Sequence, residues 1–286
     1  MNDVDLSGHT ALVTGAGRGL GRRLALRLAA SGARVALLAR TAADIRDVQS
    51  EIDVANGEGT SLALPTDVTD DAAVAEAVMA AEHRLGPVSL LVNNAGRFSA
   101  AGRIGEVDPA EWWRELEVNV RGPQLCIHHV LPRMRDRGAG RVINMASMAA
   151  FATVGWGTSA YIVSKMALVR LSELVAAETA GSGICVFSIH PGAVRTAMTE
   201  AWLSRGGPRD VVPEMAEWFQ RLFASGEDAP PEAVEDLVLF LASGGGDPLT
   251  GRYLSVEDDW HALAADSARI EDEKLYTTGL RTESNA

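Results

Sequence analysis

Tyr161 and Lys165 stand four residues apart in the run Tyr161-Ile162-Val163-Ser164-Lys165, so on a helix both side chains project from one face. A free phenol has a pKa of about 10, too high for an efficient base near neutrality. An ammonium held beside it favours the phenolate and makes proton transfer the natural chemistry of the pair. The pairing stands out because Lys165 and Lys274 are the only lysines in the chain and there are only three tyrosines. Ser147 follows the apolar run 141–146 and offers a hydroxyl to an oxygen on which charge develops. Taken singly, Ser147 is one more loop serine, Asn119 a capping or buried polar group, and Tyr161 an amphipathic core residue. Their order and spacing favour the chemical reading of the set.

A second constellation lies near the N-terminus. Thr14-Gly15-Ala16-Gly17-Arg18-Gly19-Leu20-Gly21 follows the first predicted strand and opens the first predicted helix. Backbone N–H groups and the helix dipole there can meet a pyrophosphate, whereas the same glycines without that context serve ordinary tight turns. Dinucleotide folds that prefer NAD place an acid after the second strand to bind the ribose 2′-hydroxyl. Here that strand ends in Ala39-Arg40-Thr41. Arg40 and Arg18 can together make charge-assisted contacts with a 2′-phosphate, so the expected cofactor is NADP(H), with NAD(H) second. The competing reading is that both arginines are ordinary surface charge.

Short apolar runs alternate with helical patterns throughout: HTALV, GLGRRLALRLAASG, ARVALLA, TAADIRDVQSEIDVANG, SLALP, DDAAVAEAVMAAEHRL, VSLLVN, a long helix around 109–135, RVINMA, a helix beginning near Ser159, and ICVFSIH. Leu20, Leu24 and Leu28 recur at four-residue spacing, with arginines on the other faces, as an amphipathic crossover helix requires. The rhythm predicts βαβ units and an α/β, doubly wound, mostly parallel sheet. GRYLSV adds a seventh strand. Ligands of such sheets bind at the carboxyl ends of the strands, where both constellations fall.

The spacing Gly15-x3-Gly19-x-Gly21, with Asp67-Val68 after the third strand, Asn93-Asn94-Ala95-Gly96 ending the fourth, and Pro191-Gly192-x-Val194-x-Thr196 after the sixth, resembles the short-chain dehydrogenase/reductase family over roughly residues 6–256. The resemblance implies one Rossmann-type domain over 1–256 and a catalytic tetrad of Asn119, Ser147, Tyr161 and Lys165. It implies that Asp67 contacts adenine, Asn93 braces the central strand beside the cofactor, residues 191–196 hold the nicotinamide end, and Lys165 contacts the ribose. Asn119 would help hold a water chain leading to Lys165. It further implies a homodimer or homotetramer paired through the helices that carry Asn119 and Tyr161. One departure is visible: fourteen positions separate Ser147 from Tyr161, where thirteen is usual in the family.

The segment 197–230 carries Met198, Trp202, Met215, Trp218, Phe219 and Phe223. Its rings either line an apolar or aromatic substrate pocket or anchor a lid to the body, and Trp156 and Phe151 likewise either touch substrate or pack on its rim. Residues 257–286 hold eight acids against three bases and read either as an arm that wraps a subunit or as partly disordered.

A formal charge of −12 opposes a phosphate-neutralising, nucleic-acid-binding surface. Cys126 and Cys185 lie in apolar contexts and read as structural. No His, Cys or carboxylate cluster has metal-ligand spacing, no apolar run is long enough to span a bilayer, and the N-terminus lacks a signal or transit pattern. The expectation is therefore a cytoplasmic protein acting on small molecules. The leading expected function is reversible ketone reduction. A nicotinamide-sensing regulator that lost catalysis, or an enzyme that cycles its cofactor internally as epimerising or dehydrating relatives do, would share the same fold.

Overall fold

Strands β1 (Thr10–Thr14), β2 (Arg34–Ala39), β3 (Ser61–Pro65), β4 (Leu90–Asn93), β5 (Gly140–Met145), β6 (Ile184–His190) and β7 (Tyr253–Ser255) form one seven-stranded sheet in the order β3-β2-β1-β4-β5-β6-β7. Every neighbouring pair is parallel. This is a computed structural model, and it describes residues 4–153, 156–204 and 206–279.

The strands read as nearly unbroken apolar runs because helices cover both faces. On one face, α1 (Gly19–Ala30), α2 (Ala42–Asn56) and α9 (Pro231–Ala242) bury Leu24, Leu28, Ile45, Val48 and Leu237 against Val13, Val35 and Ile189. On the other, α3 (Asp71–Leu85), α5 (Gly122–Arg137) and α6 (Ser159–Glu178) bury Val74, Val78, Cys126, Val130 and Val175 against Leu12, Leu91 and Val186. Strand order reverses between β1 and β4, which opens the crevice expected at a topological switch point. Cys126 is wholly buried, and burial pushes its thiol up to about 12. It acts as a packing group.

The long helix expected around 109–135 forms, with an interruption. α4 (Pro109–Leu116) passes into a π-helical segment (Glu117–Arg121) and then into α5. Single π turns within α-helices occur frequently at functional sites, and Asn119 lies in this one.

Segment 197–230 holds α7 (Ala197–Ala201) and α8 (Pro213–Ser225). Beyond β7, α10 (Trp260–Ala265) and α11 (Ser267–Asp272) fold back on the body. Ile270 is buried in the main core, and Arg252 pairs with Glu271. Further on, the Tyr253 N–H donates to the Tyr276 carbonyl at 2.9 Å, and the N–H and hydroxyl of Thr278 donate to Glu173 on α6.

Candidate active site

The glycine turn leaves β1 and enters α1 at the carboxyl end of the sheet. Gly15 and Gly19 have φ of +67° and +56°, a region that favours glycine. A Cβ at Gly21 would stand 2.2 Å from the Gly15 carbonyl oxygen, so only glycine lets the helix start this close to the turn. The turn is stitched to β4: Asn94 donates its amide to the Thr14 carbonyl at 2.9 Å, and the Thr14 hydroxyl accepts from the N–H groups of Asn94 and Ala95 at 3.0 and 2.9 Å. The first turn of α1 carries no acid, and Arg18 at its N-cap is exposed. Backbone donors at the start of a helix whose first turn holds no acid fit a pyrophosphate, although Asp44 of α2 packs beside Gly17. The Ala16 N–H bonds the Leu38 carbonyl at 3.1 Å, which ties the turn to the end of β2. Arg40 is exposed there, and neither Arg18 nor Arg40 has an ion-pair partner among the described residues.

The remaining sequence-derived positions line the same rim. Asp67 accepts from the N–H and hydroxyl of Thr69 through one carboxylate oxygen, and Val68 is buried beneath Gly122. Asn93 is buried at the end of β4, and its amide donates to Asn144, its neighbour on β5, at 2.8 Å. After β6, Gly192 takes φ +77° with Ala229 packed against it, Val194 is buried, and Thr196 caps α7 with its hydroxyl. Pro191 is half-buried between His190 and that turn.

The structure brings the tetrad's helical members together at the carboxyl ends of β4 and β5. Lys165 is 5 % exposed and donates from Nζ to the Met145 carbonyl at 2.7 Å. Its Nζ lies 5.5 Å from the centre of the Tyr161 ring. A Cβ on Gly96 would lie 3.8 Å from Nζ and 3.6 Å from Asn119 Oδ1, so a bare backbone passes beside both groups. Asn119 accepts from the Arg97 N–H at 2.7 Å and donates to the Arg97 carbonyl at 2.8 Å and to Ser164 Oγ at 3.0 Å. Ser147 accepts from the Ala149 N–H at 3.1 Å, capping a 3-10 turn (Met148–Phe151), and its hydroxyl is close enough to Tyr161 to oppose the rise of the phenol's pKa.

Burial sets the electrostatics. It pushes the Tyr161 phenol up to about 12, opposed by the Ser147 hydrogen bond and reinforced by the negative charge of Glu115. Burial also pushes Lys165 down to about 8, opposed by Glu115. At neutral pH the pair is thus a neutral phenol beside an ammonium.

Phe98 carried no sequence signal, and the rings of segment 197–230 left open whether they line a pocket or anchor a lid. Phe98 stacks on Tyr161 at 4.2 Å between centroids and on Trp202 at 4.4 Å. Trp202 is fully buried and donates its indole N–H to the Phe98 carbonyl at 3.0 Å. Trp202, Val212, Met215 and Phe219 form a small core of their own, with Trp156, Trp218 and Phe223 packed on it. Most rings of segment 197–230 therefore anchor that segment to the body. Phe151 packs edge-on against Tyr253 at 4.9 Å. Within the loop between Ser147 and Tyr161, Val154 and Gly155 lie outside the described residues.

Comparison with known proteins agrees with this geometry. The family profile described as short chain dehydrogenase matches residues 9–205. The short chain dehydrogenase mpl6 of Monascus purpureus is 34% identical over 268 residues, 92% of this chain and 85% of that protein. Among solved structures, the RhlG/NADP active-site complex of Pseudomonas aeruginosa superposes with TM-score 0.77 at 30% identity, covering 91% of this chain and 100% of that one. The 3-ketoacyl-(acyl-carrier-protein) reductase of Brucella melitensis, complexed with NADH, gives TM-score 0.77 at 30% identity over 90% of this chain and 100% of that one. With the glycine turn, the parallel sheet and the Tyr161–Lys165 pair in one arrangement, the chain belongs to the short-chain dehydrogenase family of oxidoreductases.

Proposed function

We propose that this protein is an NADP(H)-dependent reductase of ketones that also runs in reverse on secondary alcohols, with Tyr161 as its proton-transfer residue. The observation that carries the reading is the pair itself: half-buried Tyr161 lies under the Phe98 ring, and its neighbour, buried Lys165, is fixed by the Met145 carbonyl with Nζ 5.5 Å from the phenol ring centre. A neutral phenol at pH 7 suits donation to a carbonyl oxygen, the proton transfer that reduction requires.

The N–H groups of Gly15, Gly19, Leu20 and Gly21 would hold the pyrophosphate, and Arg18 and Arg40 a 2′-phosphate. Asp67 and Val68 would line the adenine site, and Asn93, Ala95 and Gly96 would pass beside the cofactor. Pro191, Gly192, Val194 and Thr196 would border the nicotinamide, with Lys165 on the ribose. Bound there, the nicotinamide supplies hydride in reduction and accepts it in oxidation.

The rest is done by the chain. The Ser147 hydroxyl donates to the substrate oxygen and steadies its growing negative charge. Tyr161 O–H gives its proton to that oxygen, and the Lys165 ammonium stabilises the phenolate left behind. Asn119 holds the 97 backbone and Ser164 in place behind Lys165. The Phe98 ring forms a dry wall beside the phenol, which favours an apolar carbonyl compound as substrate. Exposed Trp113 on α4 and exposed Val163 and Leu174 on α6 support pairing of two copies through these helices.

Calorimetry with NADPH and NADH, followed by absorbance at 340 nm against a panel of ketones, tests the reading. NADPH should bind more tightly and be consumed, and Tyr161→Phe should bind it normally while losing turnover by about 10²–10⁴-fold. Tight binding without consumption by any ketone would favour a sensor instead.

A further inference from the structure

α4 carries a second buried acid–base group that the proton-transfer scheme does not use. Glu115 lies four residues ahead of Asn119, and both are wholly buried. Its Oε2 accepts from the N–H groups of Ser99 and Ala100, each at 2.8 Å, while Asn119 brackets the backbone of Arg97. Two side chains on successive turns thus clamp both ends of the segment that presents Phe98 to Tyr161. The other carboxylate oxygen, Oε1, is buried without a hydrogen-bond partner among the described residues.

A carboxylate in that position is costly unless its charge is answered. The groups that face it are Arg97 from the loop after β4, and Lys165 and Tyr161 from α6. Arg97 pairs with Glu111 through Nη2 while its Nε is buried without a partner among the described residues, and Glu111 also binds Arg114 on the outer side of α4. Among the described residues Lys165 Nζ has one hydrogen-bond acceptor, the neutral Met145 carbonyl. Burial raises the Glu115 carboxyl, opposed by the Ser99 and Ala100 N–H groups, then by Arg97 and Lys165, and of these two cations Lys165 is the one on α6 that has no ion-pair partner among the described residues.

We propose that Glu115 is a positioning residue of the site: one carboxylate oxygen fastens the loop that carries Phe98, and the negative charge keeps the buried Lys165 side chain an ammonium beside Tyr161. Its use in turnover rests on the assignment of Tyr161 and Lys165 above, but its effect on Lys165 can be read without turnover. Burial already weakens the ammonium, and Glu115 is the group that opposes this. Loss of the charge would leave Lys165 substantially neutral in the neutral pH range, and the phenolate would lose its stabilising neighbour.

Because the chain holds only two lysines, the test is direct. Protein labelled with 13C at lysine Cε gives two NMR resonances, and Lys274→Arg identifies that of Lys165. Glu115→Gln retains an acceptor for the Ser99 and Ala100 N–H groups and removes only the charge. The Lys165 midpoint should fall by about one pH unit or more in this variant, a tenfold loss in its protonation equilibrium. An unchanged midpoint in folded Glu115→Gln overturns the proposal, since a purely structural clamp would leave it in place. Should that variant not fold, the unaltered protein decides. Its Lys165 resonance should show a second, smaller inflection below the main one as Glu115 takes up a proton, and a single-step curve to the acid limit of the fold overturns the proposal. If the midpoint moves as expected but Tyr161→Phe keeps full turnover, the catalytic assignment fails while the Glu115–Lys165 coupling stands.

Discussion

The rings of Phe98 and Tyr161 lie 4.2 Å apart and tilted by 35°, so an aromatic plane rather than water covers one side of the phenol. Desolvation is the leading cause of the raised Tyr161 pKa. Replacing Phe98 by Ala admits water and lowers that pKa toward its ordinary value near 10. In the oxidative direction, where the phenolate is the base, the limb of kcat/KM that rises with pH should move to lower pH in Phe98→Ala. An unmoved limb would show that the ring does not control solvation of Tyr161.

Arg18 and Arg40 stand exposed and without ion-pair partners among the described residues, beside a turn tied to the end of β2. A hydrogen bond to a charged group contributes about 1.5–3 kcal/mol. Arg18→Ala and Arg40→Ala should each weaken NADPH binding by about 10- to 100-fold and change NADH binding by only about twofold, as calorimetry with both cofactors would record. Equal losses for the two cofactors would place these arginines elsewhere than on the 2′-phosphate.

Gly21 has no room for a methyl group. Its Cβ would meet the Gly15 carbonyl oxygen at 2.2 Å and the Asn94 amide nitrogen at 2.4 Å. Gly21→Ala must therefore push the turn away from α1. The expected result is loss of measurable NADPH binding together with a lower Tm, both read from thermal melts with and without cofactor. Gly57→Ala makes the comparison, because nothing lies within 4 Å of a Cβ there although φ is +102°; its cost should be backbone strain alone, with NADPH binding intact.

His190 is 9 % exposed, its Nδ1 has no partner, and burial pushes it down to about 4. The unfolded chain takes up this proton near pH 6.5 while the folded chain resists until about 4, so stability falls as pH drops through that window and levels off below it. The loss assigned to this residue is about 3 kcal/mol. Urea titrations at pH 7 and pH 4.5 should show a smaller acid loss in His190→Asn than in the unaltered protein. Parallel losses would mean that other groups carry the acid sensitivity.

Most of what positions the site follows from local patterns. The runs around Thr10–Thr14, Arg34–Ala39 and Ile184–His190 are buried strands because their central residues are mostly apolar. The four-residue step from Tyr161 to Lys165 becomes a shared helical face on α6 without tertiary information. Glu115 was not legible, since PAEWWREL looks like a charged surface helix until α6 covers one side of it. Neither was the stitching of Thr14 to Asn94, which joins residues eighty positions apart. The π turn at Asn119 leaves no mark in hydrophobic period over so few residues, and the Phe98–Tyr161 stack depends on a loop that Glu115 and Asn119 hold from outside it.

The backbone bond from Tyr253 to Tyr276 and the clasp of Thr278 on Glu173 have a consequence for the sheet as a whole. An uncovered outer strand is a template onto which another chain can add. At β7 the protein's own returning segment occupies part of that template. Strand-by-strand growth past β7 would first require this segment to unlatch, so the far border of the sheet is closed by the chain itself.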